Sequence, residues 1–408
     1  MMCSEKIEIR TMPDSIGVGF TSYKPLPDMD NYREEKAGRY YNYHVTHKAY
    51  SWPVRTITTE KYVIDAFSPN VNKKLHVGHL RNLALAVSLQ GMFPLSKFIA
   101  MFGHSMGVKP GAIDSLEKWF DFTEYHPEPY IDIDLEPVPD DELEPGEGYH
   151  AGGMVWQGPD GPVLMIRSMT HPTKPGQKTY AYHDLALNRQ AGPTHIITGA
   201  EQKSHFEELG MKDKHISMGL VLDPVTGQKM KSRSQSLGGE VLLAEEAVGM
   251  VVDNLRETPY IRELAWNVLA WNFLSVGRKK NVKFNVDEWT KPDSPGLYIS
   301  YTAARISKAL KLAGDEINTD NIRFTDEDIK LLGRSEYINY WYQLAKDKMD
   351  PSYLANFVHY LAKHLNRAYE SGEKLVGGRS AFRGTVSYAY LTLIDCMRML
   401  GMFVLGSV

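Results

Sequence analysis

"KYVIDAFSPNVNKKLHVGHLRNLALAVSLQGMF", Lys61 to Phe93, decides how the rest of this chain is read. Its first seven residues are strand-like, with Val63 and Ile64 leading through Ala66 and Phe67 into Ser-Pro-Asn, and the residues after Gly78 carry a helical apolar period. His76 and His79 therefore fall at a strand-to-helix turn. Three readings of the pair stand side by side. Two histidines at i, i+3 can ligate a metal, but zinc asks for three or four protein ligands and no neighbouring Cys, His or Asp has that spacing, so no metal site is expected. They can simply cap the helix start. Or they use the position: a helix N-terminus after a parallel strand offers free N–H groups and the positive end of the dipole, where anions collect. Histidines there can donate hydrogen bonds to phosphate oxygens during reaction at phosphorus, and Gly78 would let a nucleotide approach closely.

The surrounding chain supplies the background. "SKFIAMFG" follows the helix, and "THIITGAE" later precedes "SHFEELGM", the βαβ rhythm of a parallel sheet covered on both faces. After Leu242 the pattern turns helical. "SPGLYISYTAARISKALKLAG" ends on Gly314 as a C-cap, and Asp350 is expected to N-cap a helix with Pro351 at its first position. Leu354, Phe357, Val358, Leu361 and Leu365 make one apolar stripe along that helix. "HPEPYIDIDLEPVPDDELEPGEGYHAGG", His126 to Gly153, is rich in proline and acid and reads as a solvated surface insertion. At 408 residues and 43% hydrophobic the chain can bury a large core without staples, and its two cysteines, Cys3 and Cys396, are too far apart in sequence to suggest a disulfide framework. No apolar signal core or bilayer-length apolar run is found, so no membrane partner and a cytoplasmic location are expected. A net charge of −4 neither advertises nor excludes nucleic acid.

"MGLVLDPVTGQKMKSRSQS", Met218 to Ser236, then adds Lys229, Lys231 and Arg233 behind a turn at Pro224 to Gly227. Cations on a loop beside small hydroxyl residues suit closure over a triphosphate and neutralise charge as pyrophosphate leaves. A basic loop alone is usually a solvated face. In this order, on an α/β background and after a His-x-Gly-His turn, the pair of stretches is far more specific.

Here the sequence resembles the class I aminoacyl-tRNA synthetases, and among them the arginyl-tRNA synthetases. "SPN…K-x-HVGHLR" resembles that family's HIGH signature, and "GQKMKSRS" its KMSKS loop. "KTYAYHDLA" (Lys178 to Ala186) is similar to its Tyr-x-x-x-Asp segment, "THIITGAEQKSHF" (Thr194 to Phe206) to the strand and Gln-x-x-His that follow, and "FLSVGRKKNVKFNVDEW…GLYISYTAARI" (Phe273 to Ile306) to the junction with its anticodon-binding domain. The resemblance implies a Rossmann-like parallel-sheet catalytic domain followed by an all-α helical bundle of the anticodon-binding type. The expected divisions are a short N-terminal appendage at 1–59; a catalytic domain at 60–242, with an insertion near 112–165 and a phosphate loop at 218–238; a helical stem at 243–290; and the helical domain at 291–408.

The resemblance also implies roles. His76, His79, Lys229, Lys231 and Arg233 would stabilise phosphate charge, with Gly78 at the ATP site. Asn70 and Gln202 would hold the amino acid's α-amino and carboxylate groups. A guanidinium, with five donors in a planar fork, asks for carboxylate and hydroxyl acceptors; Asp184 and Tyr180 would supply them, with Glu124 as a second acidic pocket residue. ATP with Mg²⁺, L-arginine and tRNA are the expected partners, and a monomer the expected state. Taken by residue alone, Tyr180 reads equally as a packed strand residue and Asp184 as a helix N-cap. Three departures mark a compact member: a short unrelated segment in place of the tRNA-elbow domain, "MFGHSMGVKPGAID" without the usual Gly-Asp-aromatic-Gly, and His183 where Thr or Arg is usual. The alternatives are a paralog that only binds tRNA, and one that adenylates an amino acid for amide ligation to another acceptor. "GRKKNVK", Gly277 to Lys283, reads as a basic strip for tRNA, and Tyr301, Tyr337, Tyr340, Trp341 and Tyr342 as candidate base-stacking platforms, at least one of the last three being expected at the surface or an interface.

Overall fold

A computed structural model describes residues 19–22, 32–37, 40–45, 60–70, 74–102, 114–131, 134–230, 242–314 and 324–405. The N-terminal stretch contains three strands, β1 (Gly19–Ser22), β2 (Tyr32–Ala37) and β3 (Tyr40–Val45), paired antiparallel in the order β1-β3-β2.

The decisive stretch folds as its pattern predicts. It gives β4 (Val63–Asp65) and α1 (Val77–Met92), followed by β5 (Lys97–Phe102), α2 (Asp114–Thr123) and β6 (Glu128–Ile131). β4, β5 and β6 are parallel neighbours. The proline- and acid-rich segment from His126 is thus more than the expected surface loop: its start is the edge strand of the main sheet. Proline is tolerated at position 129 because an edge strand pairs on one side only. Beyond it, β7 (Leu143–Pro145), β8 (Met154–Gly158) and β9 (Gly161–Ile166) form a separate antiparallel sheet. That sheet and α3 (Tyr180–Ala191) share a second small core, in which Val138 and Leu143 of the same segment meet Met165, Tyr182 and Leu185. Next come β10 (His195–Gly199), α4 (Lys203–Glu208), β11 (His215–Met218) and the short β12 (Val221–Leu222). The main sheet has the order β11-β10-β4-β5-β6, every pair parallel.

The C-terminal part is helical: α5 (Ala244–Asn254), α6 (Ile261–Leu274), the two-residue β13 (Val282–Lys283) paired to β12, α7 (Val286–Trp289), α8 (Pro295–Ala313), α9 (Asp326–Glu336), α10 (Ile338–Lys348), α11 (Ser352–Glu370) and α12 (Ser380–Met399). Gly314 closes α8 at φ 76°. Pro351, one residue later than expected, takes the cap position of α11; Asp350 still accepts the Ser352 N–H through Oδ1 at 3.0 Å. The predicted stripe of α11 is buried throughout, each of its five residues at most 2% exposed. Among the described residues no helix is long and apolar enough to cross a membrane.

α1 is the hub. Buried almost all round, it packs on α5, α6 and α12, and at its C-terminal end the Met92 carbonyl accepts the Tyr342 hydroxyl at 2.6 Å. Tyr342 is therefore a core residue rather than a stacking platform, and Tyr340 and Trp341 are half-buried, so none of the three is fully exposed; Tyr301 is 61% exposed, with the Arg305 guanidinium 5.9 Å from its ring centre. α12 approaches so closely that a Cβ on Gly91 would lie 2.7 Å from the Met399 Cα. Backbone cannot yield as a side chain does, so Gly91→Val should destabilise the fold by about 2–3 kcal/mol. A thermal midpoint equal to wild type would show that α1 and α12 can slide apart at no cost.

Candidate active site

From β4 the chain steps to β5 and β6 on one side of the sheet, whereas β10 and β11 lie on the other. The β4–β10 junction is thus a topological switch point, where crevices open at the carboxyl ends of strands. A cleft of about 590 Å³ opens at that junction. Asn70, His76, Gly78, His79, Tyr180, Asp184, Gln202 and Lys229 all line it, although they span 160 residues of sequence. Glu124 does not. It sits exposed in a left-handed turn, φ 55°, just past the end of α2. Lys231 and Arg233 lie outside the described residues.

The histidines cap α1 and do more. His76, extended at φ −123° and ψ 171°, accepts the Gly78 N–H at its Nδ1 (3.1 Å), and its own N–H is accepted by Nδ1 of His79 at 3.0 Å. The rings lie 3.9 Å apart. With both Nδ1 atoms accepting, each neutral ring carries its proton on Nε2, the tautomer needed to donate outward. A Cβ on Gly78 would lie 2.9 Å from the His76 ring, so the glycine first makes room for the histidine before it. The far end of the basic loop is tied here too: Val77 N–H donates to Leu242 O and Ala244 N–H to Leu75 O, both at 3.0 Å. Its near end is held by the Met230 N–H on Val221 O, at 3.1 Å. The far root of the loop is thus tied to the histidine turn, and the near root lines the same cleft.

Thr179 caps α3, which places Tyr180 and Asp184 one turn apart on one helix face. Tyr180, 52% exposed, is not a packed strand residue, and Asp184 is inside the helix and not its cap. The Tyr180 hydroxyl accepts Asn70 Nδ2 at 3.3 Å, joining α3 to the turn after β4. Asp184 Oδ2 lies 2.6 Å from His205 Nε2 on α4. Lys229 forms an ion pair with Glu201 across the cleft mouth, at 2.5 Å.

His205, the histidine of the Gln-x-x-His segment, also lines the cleft, as do Asp65 and Glu201, to which the motifs gave no role. The signal for Asp65 was a lone acid at the end of an apolar strand. Burial pushes its carboxyl up to about 7, against a smaller lowering by the Ser68 hydroxyl, which donates at 2.6 Å; the Asp184 charge raises it further. The folded-state pKa lies above the ordinary carboxylate value, so folding favours the neutral acid. Stability is then lost as pH rises from the ordinary range through 7 and is level above it. Asp65→Asn should accordingly stabilise the protein more at pH 8 than at pH 4, read as the thermal midpoint of each. An equal effect at both would place the Asp65 carboxyl in water.

Residues 299–403 match the DALR anticodon binding domain. An arginine–tRNA ligase of Lactobacillus johnsonii is 26% identical over 315 residues, which cover 69% of this chain and 54% of the relative; one of Ligilactobacillus salivarius is 27% identical over 237 residues, covering 50% and 40%. The chain spans about half the length of the curated relatives it matches. In fold it is similar to the arginyl-tRNA synthetase of Thermus thermophilus, with a TM-score of 0.65 at 15% identity over 94% of this chain and 90% of that one. The parallel-sheet domain and the helical domain after it share the fold of that arginyl-tRNA synthetase, and the part of the chain covered by the curated relatives is similar in sequence to arginine–tRNA ligases.

Proposed function

We propose that this chain is an arginine–tRNA ligase. The arginine carboxylate attacks the α-phosphorus of MgATP, pyrophosphate leaves, and the terminal ribose hydroxyl of an arginine-accepting tRNA then takes the arginyl group, releasing AMP. The observation that carries the amino-acid choice is the pair of carboxylates, Asp65 and Asp184, lining one cleft and repelling one another. Arginine has two cationic ends, and binding it relieves that repulsion at both. Asp184 and Tyr180 take the guanidinium, Asn70 and Gln202 the amino-acid backbone, and His76 and His79 donate from Nε2 to the α-phosphate as charge shifts there. Lys229, Lys231 and Arg233 neutralise the departing pyrophosphate. Mg²⁺ arrives with the nucleotide as part of the substrate.

The division of labour follows: 60–242 for catalysis, 243–290 as stem, 291–408 for the anticodon arm, in a monomeric cytoplasmic enzyme. The test is exchange of labelled pyrophosphate into ATP with each amino acid in turn, with and without tRNA. Exchange with arginine alone among them is expected. Exchange with none, from folded protein that still binds tRNA, would make the chain a binding paralog, and arginylation of a small amine in place of tRNA would make it an amide ligase.

A further inference from the structure

Arg81 closes the His-Val-Gly-His-Leu-Arg run, yet points away from the cleft. Its guanidinium is buried, at 2% exposure, and donates to four backbone carbonyls: from Nη1 to Gly219 (2.8 Å) and Leu220 (3.2 Å), from Nη2 to Lys280 (2.8 Å) and Arg278 (3.4 Å). Gly219 and Leu220 lead into β12, and Arg278 to Lys280 lead towards β13, its parallel partner. These two short strands form the root of the basic loop, where the N–H groups of Met230, Val282 and Phe284 donate to Val221, Leu220 and Leu222. Gly219 is needed for this approach, since a Cβ there would lie 2.2 Å from the Lys280 carbonyl oxygen.

Arg278 continues the same structure towards the helical domain. Expected as part of a surface strip, it is 8% exposed; the exposed cations of that strip are Lys279, Lys280 and Lys283. One Nη donates to the Ser217 carbonyl in the main sheet and the other to the Lys348 carbonyl at the end of α10 (3.4 Å), while its N–H donates to Asp350 Oδ2 at 3.0 Å. Burial lowers the Arg81 guanidinium to about 10 and lowers Arg278 as well, with Asp350 the carboxylate whose charge offsets both. Two guanidiniums set among neutral carbonyls are a costly way to fill space that Leu or Met could occupy. What the fork adds over an apolar side chain is fixed geometry among the carbonyls it joins, on strands already paired to one another and on the helices beside them.

We propose that Arg81 and Arg278 act as one positioning unit, locking the root of the basic loop to the histidine-bearing helix and to the helical domain. The unit sets how far Lys229 stands from His76 and His79, and so acts on catalysis without touching substrate. Its catalytic consequence rests on the ligase reading; its structural content does not.

The experiment uses the full-length Arg81→Lys, Arg278→Lys and double variants, which keep the charge and lose the fork. Hydrogen exchange is followed at the amides of Met230, Val282 and Phe284, with Leu400 in the helical domain as a control, alongside arginine-dependent pyrophosphate exchange. Each single variant should exchange about tenfold faster at the three loop-root amides with Leu400 unchanged, and the double no faster than the worse single. kcat should fall about tenfold with KM for arginine within about twofold. Wild-type exchange rates at all three amides would overturn the proposal, as would faster exchange at Leu400 as well, or single effects that multiply in the double. If one single variant does not fold, the other carries the same readout. If wild-type protein shows no pyrophosphate exchange, it is the ligase reading that fails, and the amides still decide the positioning unit.

Discussion

Asp184→Asn should lower kcat/KM for arginine in pyrophosphate exchange by about a thousandfold, with little change in thermal midpoint. The substitution keeps shape and one carbonyl acceptor, so His205 retains a partner at the 2.6 Å position and α3 keeps its packing. What disappears is the negative charge that the proposed ligase sets against the guanidinium. A cation left against a neutral amide in a partly closed cleft loses its charge-assisted hydrogen bonds and still bears the cost of leaving water. Citrulline sharpens the test, because its ureido group has the guanidinium's shape without the charge. The wild type should prefer arginine over citrulline strongly and Asp184→Asn only weakly. An Asn variant that activates arginine at near wild-type efficiency would move the guanidinium to the other carboxylate, Asp65, and reverse the orientation of the amino acid in the cleft.

How much of this site the sequence could reveal depends on how local each part is. The strand, the turn and the helix with its capping histidines are set within one stretch of 33 residues, and apolar period plus capping chemistry suffice to find them. Tyr180 and Asp184 are also local, four apart, and share a face once Thr179 is seen to start a helix. Asp65 is different. It becomes a cleft residue because β10 lies beside β4, pairing His195 with Ile64 across 131 residues, and no local pattern encodes that neighbour. The same holds for Arg278, whose basic surroundings suggest a solvated strip until Ser217 and Lys348 close over it. Glu124 shows the converse: an acid near a plausible motif that is itself the exposed, left-handed residue just past α2 and does not line the cleft. Edge strand β6 escaped notice because proline and acid, which argue against a central strand, are acceptable where only one side is paired.

His79→Ala should reduce kcat by about 10²–10³ while leaving KM for ATP within about threefold, because donors aimed at developing charge act on the transition state more than on the bound nucleotide. Alanine alone confounds two losses. His79 Nδ1 accepts the His76 N–H, so the reciprocal half of the α1 capping box goes with the Nε2 donor, while His76 still accepts the Gly78 N–H. Removing a cap costs about 1 kcal/mol, and α1 packs into the larger of the two cores. His79→Asn separates them, since an Asn oxygen can take the place of Nδ1 while the outward donor is lost. The expected pattern is a thermal midpoint lowered in the Ala variant and near wild type in the Asn variant, with turnover equally poor in both. Turnover restored in the Asn variant would make His79 a cap and nothing more, and would leave His76 to meet the phosphate alone. Loss of ATP affinity at unchanged kcat would place the histidine on the ground-state nucleotide, and the outward Nε2 donors would then serve binding and not the reaction at phosphorus.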